Sequence, residues 1–290
     1  MLQILTSKNF ELFMHTLLQY ILYFFKAGNA HGLHSPFVYQ LFTEIISTDK
    51  WYYDFDTIED IRADLLTDTT KIMVRDFGAG AKNKQPIQNN SQADIAPLNQ
   101  FTQRMISDIA QRSVSQPYTS QLVFKLIDFF QPKTIIELGT SLGINTLYMG
   151  FSATNAAKIY TFEGCPEIAK KAREIIELSP QTAKQIQLIV GNIDTTLSQE
   201  LAKLSRIDFV FFDANHRYQP TMDYFNLCLT KLHEDTVFVF DDIYWSSEMT
   251  KAWREIQQHS KVSVTIDLFQ IGLVFFRTKQ DKQNFVLKFA

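Results

Sequence analysis

A chain of 290 residues, 46% hydrophobic and 20% charged, can bury a full core and has an ordinary globular composition. Its net charge of −3, with no long basic run, disfavours nucleic acid as a partner. Cys165 and Cys228 are too few and too far apart for a disulfide framework or a C-x-x-C site, and read as reduced thiols of a cytoplasmic protein.

The first element is an amphipathic helix over residues 4–26. It is apolar around Phe10–Phe25, but Glu11, His15 and Gln19 interrupt it. That run falls short of the roughly 20 apolar residues a bilayer span needs, so the helix is expected to pack on the domain. A glycine and proline junction from Gly28 to Pro36 leads to a second helical pattern at 36–48, and residues 51–70 are mixed and acidic. Residues 76–99, with Gly78-Ala79-Gly80 and Asn89-Asn90-Ser91, read as a surface loop or mobile flap. A helix resumes near 99–112. Residues 1–112 are therefore expected to be a mainly helical N-terminal extension covering the substrate.

From Gln116 the pattern alternates regularly. Helix 118–130 precedes strand 134–137, helix 144–153, strand 158–162, helix 166–178, strand 186–190 and helix 196–204. Strand 207–212, helix 220–232, strand 236–240 and helix 247–259 follow, and two strands at 262–268 and 273–277 read as an antiparallel hairpin. Alternating units with continuous apolar strands predict an α/β fold, doubly wound around a mostly parallel sheet, over residues 113–290.

The densest signal is Thr134-Ile-Ile-Glu-Leu-Gly-Thr-Ser-Leu-Gly143, a strand, a glycine turn and a helix start, which suits a nucleotide-like ligand at a helix N-terminus. The same segment matches G-x-S-x-G, the elbow of nucleophilic serine hydrolases. Against a hydrolase, no oxyanion segment precedes Ser141, and only weak strand candidates occur before Thr134. Ligands of open α/β sheets bind beyond the carboxyl ends of the strands. Four of these candidate strands end in acid there: Glu137, Glu163, Asp213, and Asp241 with Asp242. Glu163, at the end of the next strand, stands where an acid accepts bonds from ribose hydroxyls. The G-x-x-x-G spacing offers no pyrophosphate site, so adenosine without phosphates fits better, with S-adenosylmethionine the obvious ligand.

Over about residues 114–277 the chain resembles class I S-adenosylmethionine-dependent methyltransferases. Glu137-Leu138-Gly139-Thr140-Ser141-Leu142-Gly143 resembles that family's first motif, Glu163 its ribose-binding acid, and Gly191-Asn192-Ile193 the segment bordering adenine. The family often has Asp where Asn192 stands. The resemblance implies a seven-stranded sheet whose last strand is antiparallel, and a cofactor site of Glu137, Gly139, Thr140, Ser141, Gly143, Glu163, Asn192, Ile193 and Asp213.

Asp213-Ala214-Asn215-His216 and Asp241-Asp242 are similar to segments of metal-dependent O-methyltransferases of the catechol and macrolide-sugar types. That resemblance implies Mg²⁺ held by Asp213, Asp241 and Asp242, with His216 as general base. It also implies that Ser115 and Tyr118 close over the cofactor's amino-acid end, while Trp245 is a candidate substrate wall.

The function expected is transfer of a methyl group from S-adenosylmethionine to a small-molecule hydroxyl, with no nucleic-acid partner and no membrane span; a homodimer is compatible with the sequence. A metal-independent N- or O-methyltransferase of small molecules or proteins and a non-catalytic cofactor-binding protein stand as alternatives.

Overall fold

The computed structural model describes residues 7–75 and 101–289. The N-terminal part comprises helices α1 (Ser7–Lys26), α2 (Pro36–Leu41) and α3 (Tyr53–Thr67), strands β1 (Lys71–Arg75) and β2 (Phe101–Met105), and helix α4 (Ile106–Ser113). Ser35 caps α2 by accepting from the Val38 amide, and Pro36 supplies the first helical residue. A single π-helical turn, Phe42–Ile46, continues α2.

Helix α5 (Pro117–Phe130) opens the alternating part, followed by β3 (Thr134–Leu138), α6 (Ile144–Ser152), β4 (Lys158–Glu163), α7 (Pro166–Glu177), α8 (Pro180–Ala183), β5 (Ile186–Val190) and α9 (Ile193–Lys203). Then come β6 (Phe209–Phe212), α10 (Tyr218–Cys228), β7 (Val237–Phe240), α11 (Ser247–Gln258), β8 (Val264–Asp267), β9 (Gly272–Phe275) and β10 (Gln283–Val286). The main sheet has the order β10-β8-β9-β7-β6-β3-β4-β5, and only β9 runs antiparallel to its neighbours. This is a Rossmann-like, doubly wound sheet with the expected hairpin.

Side chains alternate across the strands, so the sheet feeds two cores. Ile135, Phe209, Phe211, Val237 and Val239 pack on one face with Val38, Leu41 and Leu126. Ile136, Leu138, Val210, Phe212, Phe238 and Phe240 pack on the other with Phe225 and Trp253. A third cluster joins Phe55, Ile58 and Ile109 of the N-terminal part to Phe124, Leu147 and Tyr148.

The structure differs from the sequence expectation in two places. The sheet has eight strands where seven are expected: β10 adds parallel to β8 at the edge, and its half-exposed Gln-Asn-Phe-Val carries little strand patterning. Residues 101–105 are a strand where a helix is expected, because they pair antiparallel with Lys71–Arg75. The acidic stretch at 51–70 is largely helix α3, with Asp54 and Asp56 in its first turn, where the helix dipole favours them. The loop expected at 76–99, including Asp76–Gly80, lies outside the described residues.

Successive strands after β3 move outward through β4 and β5, whereas β6 and β7 lie on its other side. The switch point of the topology is therefore between β3 and β6, and it opens at their carboxyl ends.

Candidate active site

The turn after β3 is conformationally special. Gly139, Ser141 and Gly143 all have positive φ, at 104°, 47° and 85°. Added side-chain atoms at Gly139 have no room: a β-carbon there would lie 2.1 Å from the Asp213 carbonyl oxygen. Gly143 backs onto α7, where a β-carbon would lie 3.3 Å from the Ala172 carbonyl oxygen. Ser141 donates its amide to Glu163 Oε2 (3.0 Å), and the Cys165 amide donates to Oε1 (2.8 Å). Burial pushes the Glu163 carboxyl up to about 7, against these backbone donors.

Glu137 is fully buried. Its Oε2 accepts from Thr146 Oγ1 (2.5 Å) and Thr161 Oγ1 (2.6 Å), and Thr140 Oγ1 lies 2.5 Å from Thr161 Oγ1. Its Oε1 has no partner among the described residues, and burial pushes the carboxyl up to about 8. Ser141 Oγ is also buried without a partner among the described residues, none of which activates it in the manner of a hydrolase elbow. Buried orphans of this kind call for an explanation, and both sit in the glycine segment.

Beyond β5, Asn192 caps α9 by accepting from the Asp194 amide and is itself exposed, with Ile193 half-buried beside it. A chain of polar contacts runs from there toward β6: Tyr224 donates to Asp194 Oδ1 (2.6 Å), Asn215 to Tyr224 (3.3 Å), and Arg217 to Asn215 (2.9 Å).

Asp213, Asp241 and Asp242 come together at the ends of β6 and β7. Ser115 Oγ lies 3.0 Å from Asp213 Oδ2 and 3.5 Å from Asp241 Oδ2, and can donate its one proton to either. Burial, and then the charges of Asp213 and Asp242, hold the Asp241 carboxyl well above the usual carboxylate range. Asp242, also raised by burial, has φ of 56°, while Asn215 and His216 have 68° and 33°. Strained backbone at the ends of three adjacent strands marks a site held by its surroundings.

His216 Nε2 lies 3.5 Å from Asp213 Oδ1. Burial pulls its pKa down, but Asp213, Asp242 and Asp241 more than compensate and push it up to about 9. In this arrangement His216 is a cation at neutral pH. Trp245 stands over it, with ring centroids 6.0 Å apart. Among the described residues no three His, Cys, Asp or Glu side chains are already arranged as a metal ligand set.

Sequence reasoning missed the support of this cluster. Arg62, buried in α3, donates to the Ser115 carbonyl (2.7 Å) and pairs with Glu59. Asn145 donates to Ser115 Oγ (2.7 Å). No local motif announces either residue.

A cavity of about 710 Å³ lies between the N-terminal helices, α5 and the C-terminal residues, and Asp213, His216, Asp241 and Asp242 are not among its lining residues. Its walls include Tyr20, Tyr23, Phe24, Trp51 and Phe289, with Lys50, Lys125 and Lys288. Tyr118 joins cavity to cluster: it lines the cavity, and its hydroxyl is raised by burial and by the charges of Asp241 and Asp242. His31 and His34 are exposed and are not among its lining residues. Among the described residues no helix is long and apolar enough to cross a membrane.

Residues 136–243 match a family described as a methyltransferase domain. A catechol O-methyltransferase from Niastella koreensis is 27% identical over 44% of this chain and 57% of its own length. A transmembrane O-methyltransferase homolog from Rattus norvegicus is 26% identical over 35% of this chain and 40% of its own. The chain thus matches only about half of these curated relatives. An O-methyltransferase from Bacillus cereus, solved in complex with SAH, shares the fold over 79% of this chain and 93% of its own, with a TM-score of 0.52 and 14% identity.

Proposed function

From the premise that the chain carries a class I S-adenosylmethionine-dependent methyltransferase domain, we propose that it transfers a methyl group from S-adenosylmethionine to a hydroxyl of a small molecule. The observation that carries this reading is the seam at the switch point. There the glycine turn after β3 is packed against Asp213, whose carboxylate belongs to a cluster of acids that Tyr118 connects to an aromatic cavity.

The residues of the turn fit the cofactor. Glu137 Oε1 and Ser141 Oγ are buried polar atoms without partners, and the amino-acid end of S-adenosylmethionine offers donors and acceptors for them. Glu163 would accept from the ribose hydroxyls, and Asn192 and Ile193 would border the adenine.

The donor chemistry of Asp213, Asp241 and Asp242 fits Mg²⁺: they are three hard oxygen donors, and burial and neighbouring charge disfavour the ionised forms of Asp241 and Asp242. A bound Mg²⁺ would lower the pKa of a substrate hydroxyl and orient its oxygen. His216 would take the hydroxyl proton at Nδ1, the ring nitrogen not turned to Asp213, with Asp213 fixing the ring through Nε2. Ser115 would keep Asp213 and Asp241 in position, and Trp245 would wall the substrate side. Residues 1–112 act as the cover, since α1 and the turn after α2 supply cavity walls, and the volume suits a drug-sized molecule. The free, buried Cys165 and Cys228 are in keeping with a cytoplasmic location.

A second reading, a metal-independent methyltransferase, is favoured by two observations: His216 faces Asp213 at 3.5 Å, and no ready ligand set is present among the described residues. Calorimetry with S-adenosylmethionine tests the common premise, and absence of binding at millimolar ligand would overturn it. Release of S-adenosylhomocysteine with a panel of phenols, with and without EDTA, then separates the two readings.

A further inference from the structure

Helix α1 is built inside out. Its polar and half-polar positions face the domain: His15 Nε2 bonds Thr250 Oγ1 (2.9 Å), Gln19 is buried, and Tyr23 donates to the Leu287 carbonyl (2.7 Å). Most of its apolar positions face outward, whereas Leu12 is half-buried and Tyr20 and Phe24 also line the cavity. Between Phe10 and Phe25 ten large apolar side chains are exposed, and Phe10, Phe13, Leu18, Phe24 and Phe25 each keep more than half of their surface. At 3.6 residues per turn they cover an arc of about 200°.

With about 150–250 Å² per large side chain, α1 leaves roughly 1,000 Å² of contiguous apolar surface. A typical monomer exposes patches of about 300–600 Å², so this face calls for a partner. The area matches the roughly 800 Å² that each partner contributes to a stable protein interface. Charge speaks against a lipid surface. Glu11 is the one acid or lysine/arginine between Phe10 and Phe25, and the whole chain carries −3, whereas interfacial helices bind anionic bilayers through lysines and arginines.

We propose that the outward face of α1 is the interface with a second copy of this chain, two α1 helices crossing antiparallel about a twofold axis near Leu18. That register sets Glu11 of each copy opposite Lys26 at the far end of the other helix. It also opposes the helix dipoles favourably. The interface stands independently of the proposed activity.

Sedimentation of the full chain at micromolar concentration should give twice the mass of one chain. The Phe13→Asp/Leu17→Asp variant should sediment as a folded monomer, checked by far-UV circular dichroism. Neither residue lines the cavity. As a second measurement that needs no disruptive change, Leu18→Cys should be joined to its counterpart by a short bis-maleimide. A control at exposed Leu178→Cys should not. The native Cys165 and Cys228 are buried and give little background. A monomeric wild type, a dimer that survives the double aspartate change, Leu18→Cys that fails to cross-link, or a monomer that floats with phosphatidylglycerol vesicles would each overturn the proposal.

Discussion

Gly139 is pressed against the backbone of Asp213, so closely that a β-carbon would come within 2.1 Å of the Asp213 carbonyl oxygen. The Asp213 amide in turn donates to the Leu138 carbonyl (2.9 Å). The turn proposed to meet the cofactor and the loop proposed to meet the substrate are thus one packed unit across the switch point. Gly139→Ala should disturb both. Its φ of 104° alone costs a side chain roughly 1–2 kcal/mol, before the clash is counted. The expected result is at least a tenfold loss of S-adenosylmethionine affinity by calorimetry, with a melting point lowered by several degrees. Affinity equal to wild type would show that the contact does not shape the cofactor turn.

The acids that flank the turn, Glu137 in β3 and Glu163 at the end of β4, give a second prediction, about stability. Glu137 and Glu163 are pushed up by burial to about 8 and about 7, from an ordinary value of 4.5. Between pH 4.5 and 8 the unfolded chain loses these protons while the folded chain keeps them. The folded state therefore binds more protons, and stability falls as pH rises through this window, levelling off above about 8. Urea denaturation of the ligand-free protein across that range should show the decline. Glu137→Gln, which keeps a carbonyl acceptor for Thr146 and Thr161 but cannot ionise, should flatten it. An unchanged slope in that variant would mean the decline arises elsewhere.

The sheet and its acids were legible because each depends on local pattern. Apolar runs such as Phe209–Phe212 are buried along their whole length, and the acid that ends each run falls on one edge by topology alone. The support of the site was not legible, because it is tertiary. Ser115 meets Asp213 across 98 residues of sequence, and Arg62 reaches Ser115 across 53. An arginine is ordinarily assigned to the surface, and nothing local to Arg62 says that Glu59 and the Ser115 carbonyl will bury it. Likewise β1 and β2 are recognisable only through their pairing.

Ser115 offers a test of how the acid cluster is held. Its hydroxyl is shared by Asp213 and Asp241, and Asn145 fixes it. Removing it with Ser115→Ala leaves two neighbouring carboxylates without their common donor, a loss of about 1–3 kcal/mol for charged acceptors. Turnover should drop about tenfold or more, with cofactor affinity changed far less. If affinity collapses while turnover at saturation is kept, Ser115 serves the cofactor end instead.

Metal dependence gives the fourth test. Under the Mg²⁺ reading EDTA abolishes turnover and Mg²⁺ restores it. Asp242→Ala should then raise the Mg²⁺ concentration for half-maximal activity at least tenfold. Alanine is the informative change because asparagine can still coordinate through its carbonyl oxygen. Full activity in EDTA would leave the metal-independent reading, with the carboxylates serving to orient His216 and substrate.

The charge on His216 decides when it can act. Burial lowers its pKa, yet the three aspartates push it up to about 9, so below that pH the ring holds the proton that a base must lack. Under the metal-independent reading, kcat should therefore rise with pH through about 9. If Mg²⁺ binds among the same carboxylates, its charge opposes their pull and the rise should move to lower pH. The His216→Asn variant should lose this limb and about 10²–10⁴ of kcat, the usual contribution of general acid–base catalysis. A pH-rate curve measured with and without Mg²⁺ on both proteins reads out every part of this. An unchanged limb in the variant would assign it to another group. Near-full turnover with chemistry rate-limiting would leave His216 as a counter-ion that positions Asp213, which the 3.5 Å contact between them already allows.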